Sequence, residues 1–295
     1  MDWSEFPSMS RKELRAFRKS IDEAFRDFTR EYGESFERFF DPLLEFLVWS
    51  EQLLLNAPWP LVILVCAALT YLASRSVKLS VAVVLVFLII GYLGMWSDTM
   101  RTLSIISVCT VVAIGIGIPL GVAMARSNRV QSIVTPVLDV MQTMPSFVYL
   151  IPVVMLLGIG KVPGLIAVII YALPPIVRLT NLGIRQVDAS VVEAAEAFGA
   201  TPWQKLKTVQ FPLALPSIFA GVNQTIMMSL SMVVIASMIG VKGLGQPVLQ
   251  AITNQYFSMG MLNGFAIVAI AIIFDRVSQH YGFRVQKHRG EVGNG

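Results

Sequence analysis

The sequence predicts an all-α integral membrane protein with about seven membrane-spanning helices. Of its 295 residues, 55% are hydrophobic and only 14% are charged, and the mean hydropathy is +0.67. An ordinary soluble domain carries roughly 25% charged residues. Residues 1–51 hold 8 basic and 12 acidic side chains, whereas the rest of the chain holds 15 basic and 7 acidic ones. So few charges cannot cover a water-facing surface, which excludes a soluble enzyme, a disordered protein and a nucleic-acid-binding domain.

The segment 1–51 predicts an amphipathic helix ahead of the membrane region. Ser10 followed by Glu13 fits the capping box that starts many helices. From Leu14 to Phe39, apolar residues recur every three or four positions, and charged residues fill the opposite face. Pro42 is expected to end or kink this helix. Two interpretations remain open: a helix on the outer leaflet against the bundle, or a soluble amphipathic helix packed on a partner.

Seven apolar stretches follow, and a helix needs about 20 apolar residues to cross a bilayer. The fifth stretch is short but can extend through Arg178, whose long side chain can reach the interface. The sixth is longer than one span requires, so Pro216 is expected to mark its helix entry. The membrane domain is predicted to cover 52–280, with a cytoplasmic tail at 281–295. The seven stretches are 52–74, 79–96, 102–125, 140–160, 162–177, 208–241 and 260–274.

The basic residues of the connections predict the orientation of the chain. If the C-terminus is cytoplasmic, the inner connections hold 12 basic residues, and the short outer loops hold 3, namely Arg101, Lys161 and Lys242. Cytoplasmic loops are enriched in Lys and Arg, so this excess places the C-terminus inside. With seven spans, the N-terminus then lies outside.

The longest inner connection, residues 181–215, carries a predicted helix–turn–helix. Asp188 or Ser190 can cap a short helix over 191–198, because both side chains accept hydrogen bonds from free backbone N–H groups. Gly199 suits the left-handed position that often ends a helix. A capped helix followed by such a glycine indicates a structured loop rather than an irregular one.

The second helix of this connection is expected to start at Thr201-Pro202, where the missing N–H of proline costs nothing. Small Ala194 and Ala195 permit close approach by another protein, and Glu193 offers a carboxylate to a basic partner. An ordinary solvated connection is the alternative. Long structured loops are usually functional, which favours a working role for this one.

The same residues resemble a known family. Glu193-Ala194-Ala195, Gly199, and Val209 followed by Phe211-Pro212 are similar to the EAA loop of ABC importer permeases. That family's pattern ends Ile-x-Leu-Pro, and both departures here keep apolar bulk. Three further blocks, 141–152, 171–178 and 221–240, are similar to the osmoprotectant branch, the proline/glycine betaine importers. The resemblance covers roughly residues 97–280 and implies a type I ABC importer permease fold.

The resemblance implies a permease subunit of an ATP-driven importer for a compatible solute such as glycine betaine, proline betaine, choline or a related methylamine. It implies a multi-pass protein of the bacterial inner membrane. The expected partners are two cytoplasmic ATP-binding subunits, an extracytoplasmic substrate-binding protein, a second copy of the chain and the lipid bilayer. The residues expected to couple to the ATPase are Glu193, Ala194, Ala195, Gly199, Val209 and Pro212.

The sequence contains no motif for ATP hydrolysis. A P-loop needs the pattern G-x-x-x-x-G-K-[ST], but Met155 takes the first glycine position and Val162 follows Gly160-Lys161. ATP and Mg²⁺ are therefore expected on the partner ATPase, with no cofactor in this chain. The sequence offers no cluster of His, Cys and carboxylate residues typical of a catalytic metal. The chain is expected not to be an enzyme.

Neutral polar residues inside the spans are candidates for the translocation path, because an uncharged polar lining suits a zwitterion or a cation that must not be held. Hydrogen bonding between helices is the alternative for each. No aromatic cage is expected, since Phe147, Tyr149 and Tyr171 are scattered. The outer loop 242–259 is either a gate or a docking site. The path candidates are Gln142, Thr143, Pro145, Asn223, Gln224, Thr225 and Ser231.

Two other functions remain open. A secondary transporter or channel would act without ATP, but such carriers commonly use intramembrane carboxylates. Asp139 lies near the start of the fourth span and Asp275 near the end of the seventh, and both are expected close to the inner interface. A membrane-bound sensor would instead use the N-terminal helix as its working part.

Overall fold

The computed structural model describes residues 8–290, and these residues form twelve α-helices and no strand. Residues 1–7 of the N-terminal segment and 291–295 of the predicted tail lie outside the described part. The helices are α1 (Arg11–Asn56), α2 (Trp59–Ser74), α3 (Val77–Tyr92), α4 (Trp96–Arg126), α5 (Asn128–Thr143), α6 (Ser146–Leu157), α7 (Lys161–Arg185), α8 (Ala189–Ala197), α9 (Pro202–Lys205), α10 (Phe211–Ala236), α11 (Gly245–Asn254) and α12 (Phe257–Gly290).

Four helical segments of the described chain are long and apolar enough to cross a membrane: α4, α7, the run Pro202–Ile239 that contains α10, and the Phe257–His280 part of α12. The bent pairs α1–α2 and α5–α6 raise this number to six, and α3 is a shorter apolar helix. The all-α, multi-pass fold class is confirmed. A count of seven spans stays a prediction.

The N-terminal helix α1 is longer than the sequence suggested. Its start is as predicted, because Ser10 and Glu13 form a complete capping box. Of the two outcomes expected at Pro42, an end of the helix is ruled out, since α1 continues through it to Asn56, and a kink stays a prediction. Leu47 and Glu51, beyond Pro42, are buried against the bundle, and this packing outweighs the hydrogen bond that proline removes.

The predicted first span, 52–74, does not form one helix. Its first residues complete α1, and α2 starts only at Trp59 after a bend of 111°. Pro58 is the N-cap of α2, and Pro60 occupies its first turn. Proline is tolerated at these positions because the first N–H groups of a helix lack partners anyway. The bend at these prolines therefore leaves α1 nearly perpendicular to α2.

The predicted span 140–160 is also broken. Helices α5 and α6 meet at Met144-Pro145 with a bend of 102°. Met144 has φ −69° and ψ 129°, the extended conformation that a following proline imposes. Proline here acts as a helix boundary, which the hydropathy pattern alone did not reveal.

The expectation that Pro216 marks the entry to the sixth span is wrong, because Pro216 lies inside α10. The helical run begins at Pro202 and continues through a π-helical turn, Leu206–Gln210, into α10. The N–H of Phe211 bonds to the carbonyl of Leu206, which gives the wider turn. The loop and the span therefore form one continuous helical piece.

Helix α7 occupies the centre of the bundle, where α4 and α10 pack against it. Small residues permit this close approach: a Cβ atom on Gly121 would lie 2.6 Å from Cβ of Thr180, and one on Gly117 would overlap Ile176. These two glycines therefore allow tight packing between α4 and α7. The connection that follows α7 is thus attached to a helix that is tightly packed at the centre of the bundle.

Candidate functional site

The helix–turn–helix predicted in the 181–215 connection is present. Oδ1 of Asp188 accepts hydrogen bonds from N and Oγ of Ser190, at 2.9 and 2.8 Å, and so caps α8. These bonds favour the carboxylate and lower the pKa of Asp188. Gly199 has φ +77°, the left-handed conformation predicted for it. Helix α8 begins and ends within two residues of the predicted bounds.

Helix α9 starts as predicted at Pro202 and is held by short-range bonds. Thr201 and Gln204 form a capping box: the N–H of Gln204 donates to Thr201 Oγ1 at 3.3 Å, and the N–H of Thr201 donates to Gln204 Oε1 at 2.9 Å. Lys205 pairs with Glu196, which joins α9 to α8. We call α8, its turn and α9 the hairpin, which is continuous with α10 through the helical run that starts at Pro202.

The hairpin presents an exposed apolar surface. No residue of α8 is buried, and the side chains of Phe198 and Trp203 are 93% and 61% exposed. Glu193, Ala194 and Gly199 are also exposed, while Ala195, Val209 and Pro212 are half-buried. Large exposed rings on an ordered surface are typical of protein docking sites.

The end of the bundle that carries the hairpin is cross-linked by Arg185. Its Nη2 donates to the carbonyl of Met124 and to Oδ1 of Asn128, both at 2.8 Å, and its Nε donates to Asn181 at 3.0 Å. The end of α7 is thereby tied to the corner between α4 and α5. We call this end of the bundle the hairpin end.

The opposite end has an ion-pair cluster around a buried carboxylate, which the sequence did not predict. Glu51 of α1 is 9% exposed. Its Oε2 lies 2.6 Å from Lys161 Nζ and its Oε1 lies 3.5 Å from Arg101 Nε. Arg101 also pairs with Asp98 at 3.2 Å. We call these four residues the Glu51 clamp, because it joins α1 to the first turns of α4 and α7.

A second contact brings the loop before α11 to the same end. The N–H of Leu244 donates to Oγ1 of Thr102 at 2.9 Å. The segments predicted as outer loops, around Arg101, Lys161 and Lys242, therefore meet at one end of the bundle. Nothing in the sequence marked Glu51 as their partner, because Lys161 lies 110 positions away.

Four of the candidate path residues lie on α10, in different surroundings. Asn223 Nδ2 donates to Asp275 Oδ1 at 2.9 Å, and Asn223 and Gln224 line a cavity of about 410 Å³. Thr225 is fully buried and donates to the carbonyl of Ala172 on α7 at 3.0 Å. Ser231 is exposed and bonds within its own helix. Thr225 thus makes a helix–helix contact, and all four remain predictions as path residues.

The other three candidates, Gln142, Thr143 and Pro145, are exposed at the break between α5 and α6. The expectation that the aromatic residues are scattered is wrong for two of them. The rings of Tyr149 and Tyr171 meet edge to face, with centroids 5.8 Å apart. The hydroxyl of Tyr149 on α6 donates to the carbonyl of Met141 on α5, which links the two helices across the break.

Comparison with known proteins gives a family and several close relatives. Residues 117–287 match the family described as "Binding-protein-dependent transport system inner membrane component". The chain is 51% identical over 240 residues to the glycine betaine/proline betaine transport system permease protein ProW of Escherichia coli, covering 81% of this chain and 67% of that protein. It is 50% identical over 226 residues to the glycine betaine/carnitine transport permease protein GbuB of Listeria monocytogenes, covering 76% and 80%.

Solved structures share the fold at lower identity. A chain of the MetNI methionine ABC transporter, captured in inward-facing conformations, aligns with a TM-score of 0.57 and 21% identity, over 62% of this chain and 92% of that chain. An amino acid ABC transporter aligns with a TM-score of 0.54 and 21% identity, over 66% and 96%. These neighbours establish a common helical architecture.

Proposed function

The chain belongs to the family of binding-protein-dependent transport system inner membrane components, and we propose that it is the permease subunit of an ATP-driven importer of glycine betaine or a related compatible solute. It is a multi-pass protein of the bacterial inner membrane. Its function requires an ATP-binding partner and a substrate-binding partner. Translocation is its task, and ATP hydrolysis belongs to the separate partner chain, with the nucleotide and Mg²⁺.

The exposed hairpin carries this proposal. Phe198 stands 93% exposed on a helix–turn–helix that continues without interruption into α10. A docked ATPase would cover this ring, with Glu193, Ala194 and Gly199 beside it. The π turn at Leu206–Gln210 is a device often found at functional positions. A displacement of the docked ATPase would be transmitted through this turn to α10 in the core of the bundle.

The full transporter contains two copies of the chain and two ATPases, each ATPase holding one hairpin. Closure of the ATPase dimer on ATP moves the two hairpins and turns the bundle from inward- to outward-facing, and hydrolysis resets it. The ATPase shifts the balance between the inward- and outward-facing states only by as much as its affinity for the two states differs. The chain itself then needs no intramembrane proton relay.

The orientation is N-out and C-in, with α2, α3, α4, the α5–α6 pair, α7, α10 and α12 as the seven spans. Two observations support it. Arg101, Lys161 and Leu244 meet at one end of the bundle, while Arg185 and Asn128 meet at the other. The hairpin end carries the excess of basic residues and is therefore cytoplasmic.

Helix α1 lies on the outer leaflet. It turns by 111° into α2, so it runs close to perpendicular to a membrane-spanning helix. Its rings at Phe17, Phe28 and Phe36 are exposed, and the Glu51 clamp fixes its end at the outer side. Apolar side chains on one face with charges on the other suit an interfacial helix.

Phe198→Ala tests the proposal, with Phe257→Ala as the matched control. Phe257 is 80% exposed at the start of α12, at the opposite end. Retention of the ATPase on the purified permease should fall at least about tenfold for Phe198→Ala, the loss of roughly 1.4 kcal/mol of contact, and stay unchanged for the control. Glycine betaine uptake should fall in parallel. Equal ATPase retention in both variants, or uptake by the chain alone without ATP, would overturn the proposal.

A further inference from the structure

A long apolar space lies among α2, α3, α4 and α12, and we call it the cleft. Its volume is about 620 Å³, and of its eighteen lining residues only Thr70 and Ser107 have hydroxyl-bearing side chains. Along α2 its wall runs from Leu61 to Ala73, which is about 18 Å of helix. The cleft is thus about as long as one leaflet of a hydrocarbon core that is about 30 Å thick.

The cleft opens sideways out of the bundle. Leu61, Val65 and Leu69 line it and are also exposed, whereas Phe87 and Ile270, which line it too, are buried. Because α2 is one of the proposed spans, the exposed rim faces the bilayer. An apolar space does not hold water, and an empty one deprives its lining residues of van der Waals contacts. The expected occupant is therefore a component of the bilayer.

A helix of a second copy is a poorer occupant of the same space. Helices α2 and α12 contact each other beside the cleft, and a helix with its side chains is about 10–12 Å across. A hydrocarbon chain is narrower and has no backbone polar groups that need hydrogen bonds. The shape of the cleft therefore favours an extended apolar chain over a further helix.

A second cavity adjoins the cleft at the bend between α1 and α2, and we call it the mouth. Its volume is about 720 Å³, and both cavities have Ala57 and Phe87 in their walls. Leu55, which also lines the mouth, follows Glu51 of the clamp by one turn of α1. The mouth therefore lies at the outer end of the bundle, and the cleft leads from it into the depth of the membrane.

Three aromatic residues with polar tips line the mouth: Trp59, Tyr92 and Trp96. No group that the structure describes accepts a hydrogen bond from their indole N–H or phenol O–H groups. Tryptophan and tyrosine prefer the level of the lipid headgroups, where the ring is in an apolar layer and its tip meets polar groups. The mouth thus offers hydrogen-bond donors directly above an apolar cleft.

We propose that the mouth and the cleft together bind one phospholipid of the outer leaflet. One acyl chain lies along α2 in the cleft, and the ester and phosphate oxygens of the same molecule accept hydrogen bonds from the three rings of the mouth. The lipid fills the seam between the α2–α3 pair and the helices α4 and α12. The choice of leaflet rests on the proposed orientation of the importer, and the match between site and lipid does not.

Retention of lipid tests the proposal directly. The permease–ATPase complex is taken from nanodiscs of phosphatidylglycerol, washed thoroughly in detergent and weighed by native mass spectrometry. Wild type should keep one phosphatidylglycerol per permease chain. Ala73→Phe puts a ring into the deep end of the cleft and should lower retention about tenfold. Ala68→Phe makes the same change at an exposed position of α2 that does not line the cleft, and should leave retention unchanged.

The mouth is tested by Trp96→Phe, which keeps an aromatic ring but removes the N–H donor. Retention should fall about threefold, the effect of one lost hydrogen bond. Unchanged retention in Trp96→Phe, Trp59→Phe and Tyr92→Phe alike would overturn the assignment of the headgroup to the mouth.

Cys66 supplies a measurement that needs no bulky substitution, and so it holds even where Ala73→Phe fails to fold. Its half-buried thiol lines the cleft, while Cys109 is fully buried. Phosphatidylglycerol added to the delipidated complex, at ten times its dissociation constant, should slow the reaction of Cys66 with a small apolar maleimide about tenfold. A thiol outside the cleft, from Ala68→Cys combined with Cys66→Ser, should keep its rate.

Three results would overturn the inference: no phospholipid on washed wild type, equal retention in Ala73→Phe and Ala68→Phe, or a Cys66 rate that ignores phosphatidylglycerol. A cross-link between the Cys66 thiols of two copies would show that a second copy occupies the cleft instead. Each of these results leaves the importer function standing, provided that Phe198→Ala still releases the ATPase. Normal ATPase retention in Phe198→Ala would contradict the coupling proposal and leave the lipid site intact, so the two failures are distinguishable.

Discussion

The outer end and the hairpin end of the bundle differ in how far the chain itself covers their side chains. At the outer end, the acidic groups of the Glu51 clamp meet Arg101 and Lys161 within the same chain, and Glu51 is 9% exposed. At the hairpin end, Phe198 is 93% exposed and no residue of α8 is buried. At the outer end, charged side chains pair within the same chain. The hairpin end presents ordered side chains that the chain itself leaves uncovered.

This difference indicates which end is built for stability and which for association. Breaking a buried ion pair is costly because a charge is left without its partner. Removing an exposed side chain costs the isolated chain little and matters only when a partner covers it. Substitutions at the outer end should therefore change unfolding, whereas substitutions in the hairpin should change assembly.

The largest expected effect is at Glu193. Glu193→Lys reverses the charge of an exposed hairpin side chain, so ATP-driven uptake should fall by more than about tenfold, since like charges across an interface are strongly unfavourable. The unfolding temperature of the purified chain should not change. Glu45→Lys makes the same reversal at an exposed position of α1 and serves as control. Normal uptake in Glu193→Lys would erase the proposed distinction between the ends.

The next effect is at Glu51. Glu51→Gln removes the carboxylate of Lys161 and leaves Arg101 with Asp98 alone. Because both cations are about one-third exposed, the free energy of unfolding should fall by only about 2 kcal/mol. Glu45→Gln, on an exposed part of the same helix, should change it by less than about 0.5 kcal/mol. Thermal unfolding in detergent measures both. ATPase retention should be the same in the two variants; a selective loss in Glu51→Gln would show that the clamp serves assembly as well.

Two glycines with positive φ give a matched test of the two ends. A Cβ on Gly243, at φ +152°, would lie 2.6 Å from Oγ1 of Thr102, the group that holds Leu244. A Cβ on Gly199, at φ +77°, would meet nothing within 4 Å. Gly243→Ala should therefore destabilise the chain by about 2 kcal/mol through strain and collision, and Gly199→Ala by about 1 kcal/mol through strain alone. Equal losses of stability in the two variants would mean that the outer loop shifts to accommodate the added methyl group.

Local hydrogen-bond chemistry was predictable from the sequence. The caps at Ser10 and Asp188, the left-handed Gly199 and the start at Thr201-Pro202 depend on residues within a few positions of each other. The family resemblance likewise depends on such local patterns. These features follow from residue type and spacing because their partners are neighbours in the chain.

Contacts between helices were not predictable in the same way. Glu51 with Lys161, Asn223 with Asp275, and the Tyr149–Tyr171 pair join residues from different helices, so they depend on how those helices are rotated and shifted. Proline was ambiguous for a related reason. It broke the chain at Pro145, but helices pass through Pro42 and Pro216, since packing decides whether a lost hydrogen bond ends a helix.

The smallest effect concerns the cap of the hairpin. Hydrogen bonds from Ser190 lower the pKa of Asp188 from its ordinary value of 3.8, so the ionised cap contributes stability above that value and loses it as the pH falls through the lowered one. Hydrogen exchange of the α8 amides, corrected for intrinsic rates, should therefore be the same at pH 7 and about pH 5.

At neutral pH, Asp188→Asn should keep most of this protection, because Asn is an equally good N-cap, while Asp188→Ala should lose it. The clamp offers the contrast, since Asp188→Ala should leave exchange around Glu51 unaltered. A hairpin that loosens between pH 7 and about pH 5 would mean that another group holds it. The ordered, uncovered surface on which the comparison of the two ends depends would then owe its order to something other than its own caps.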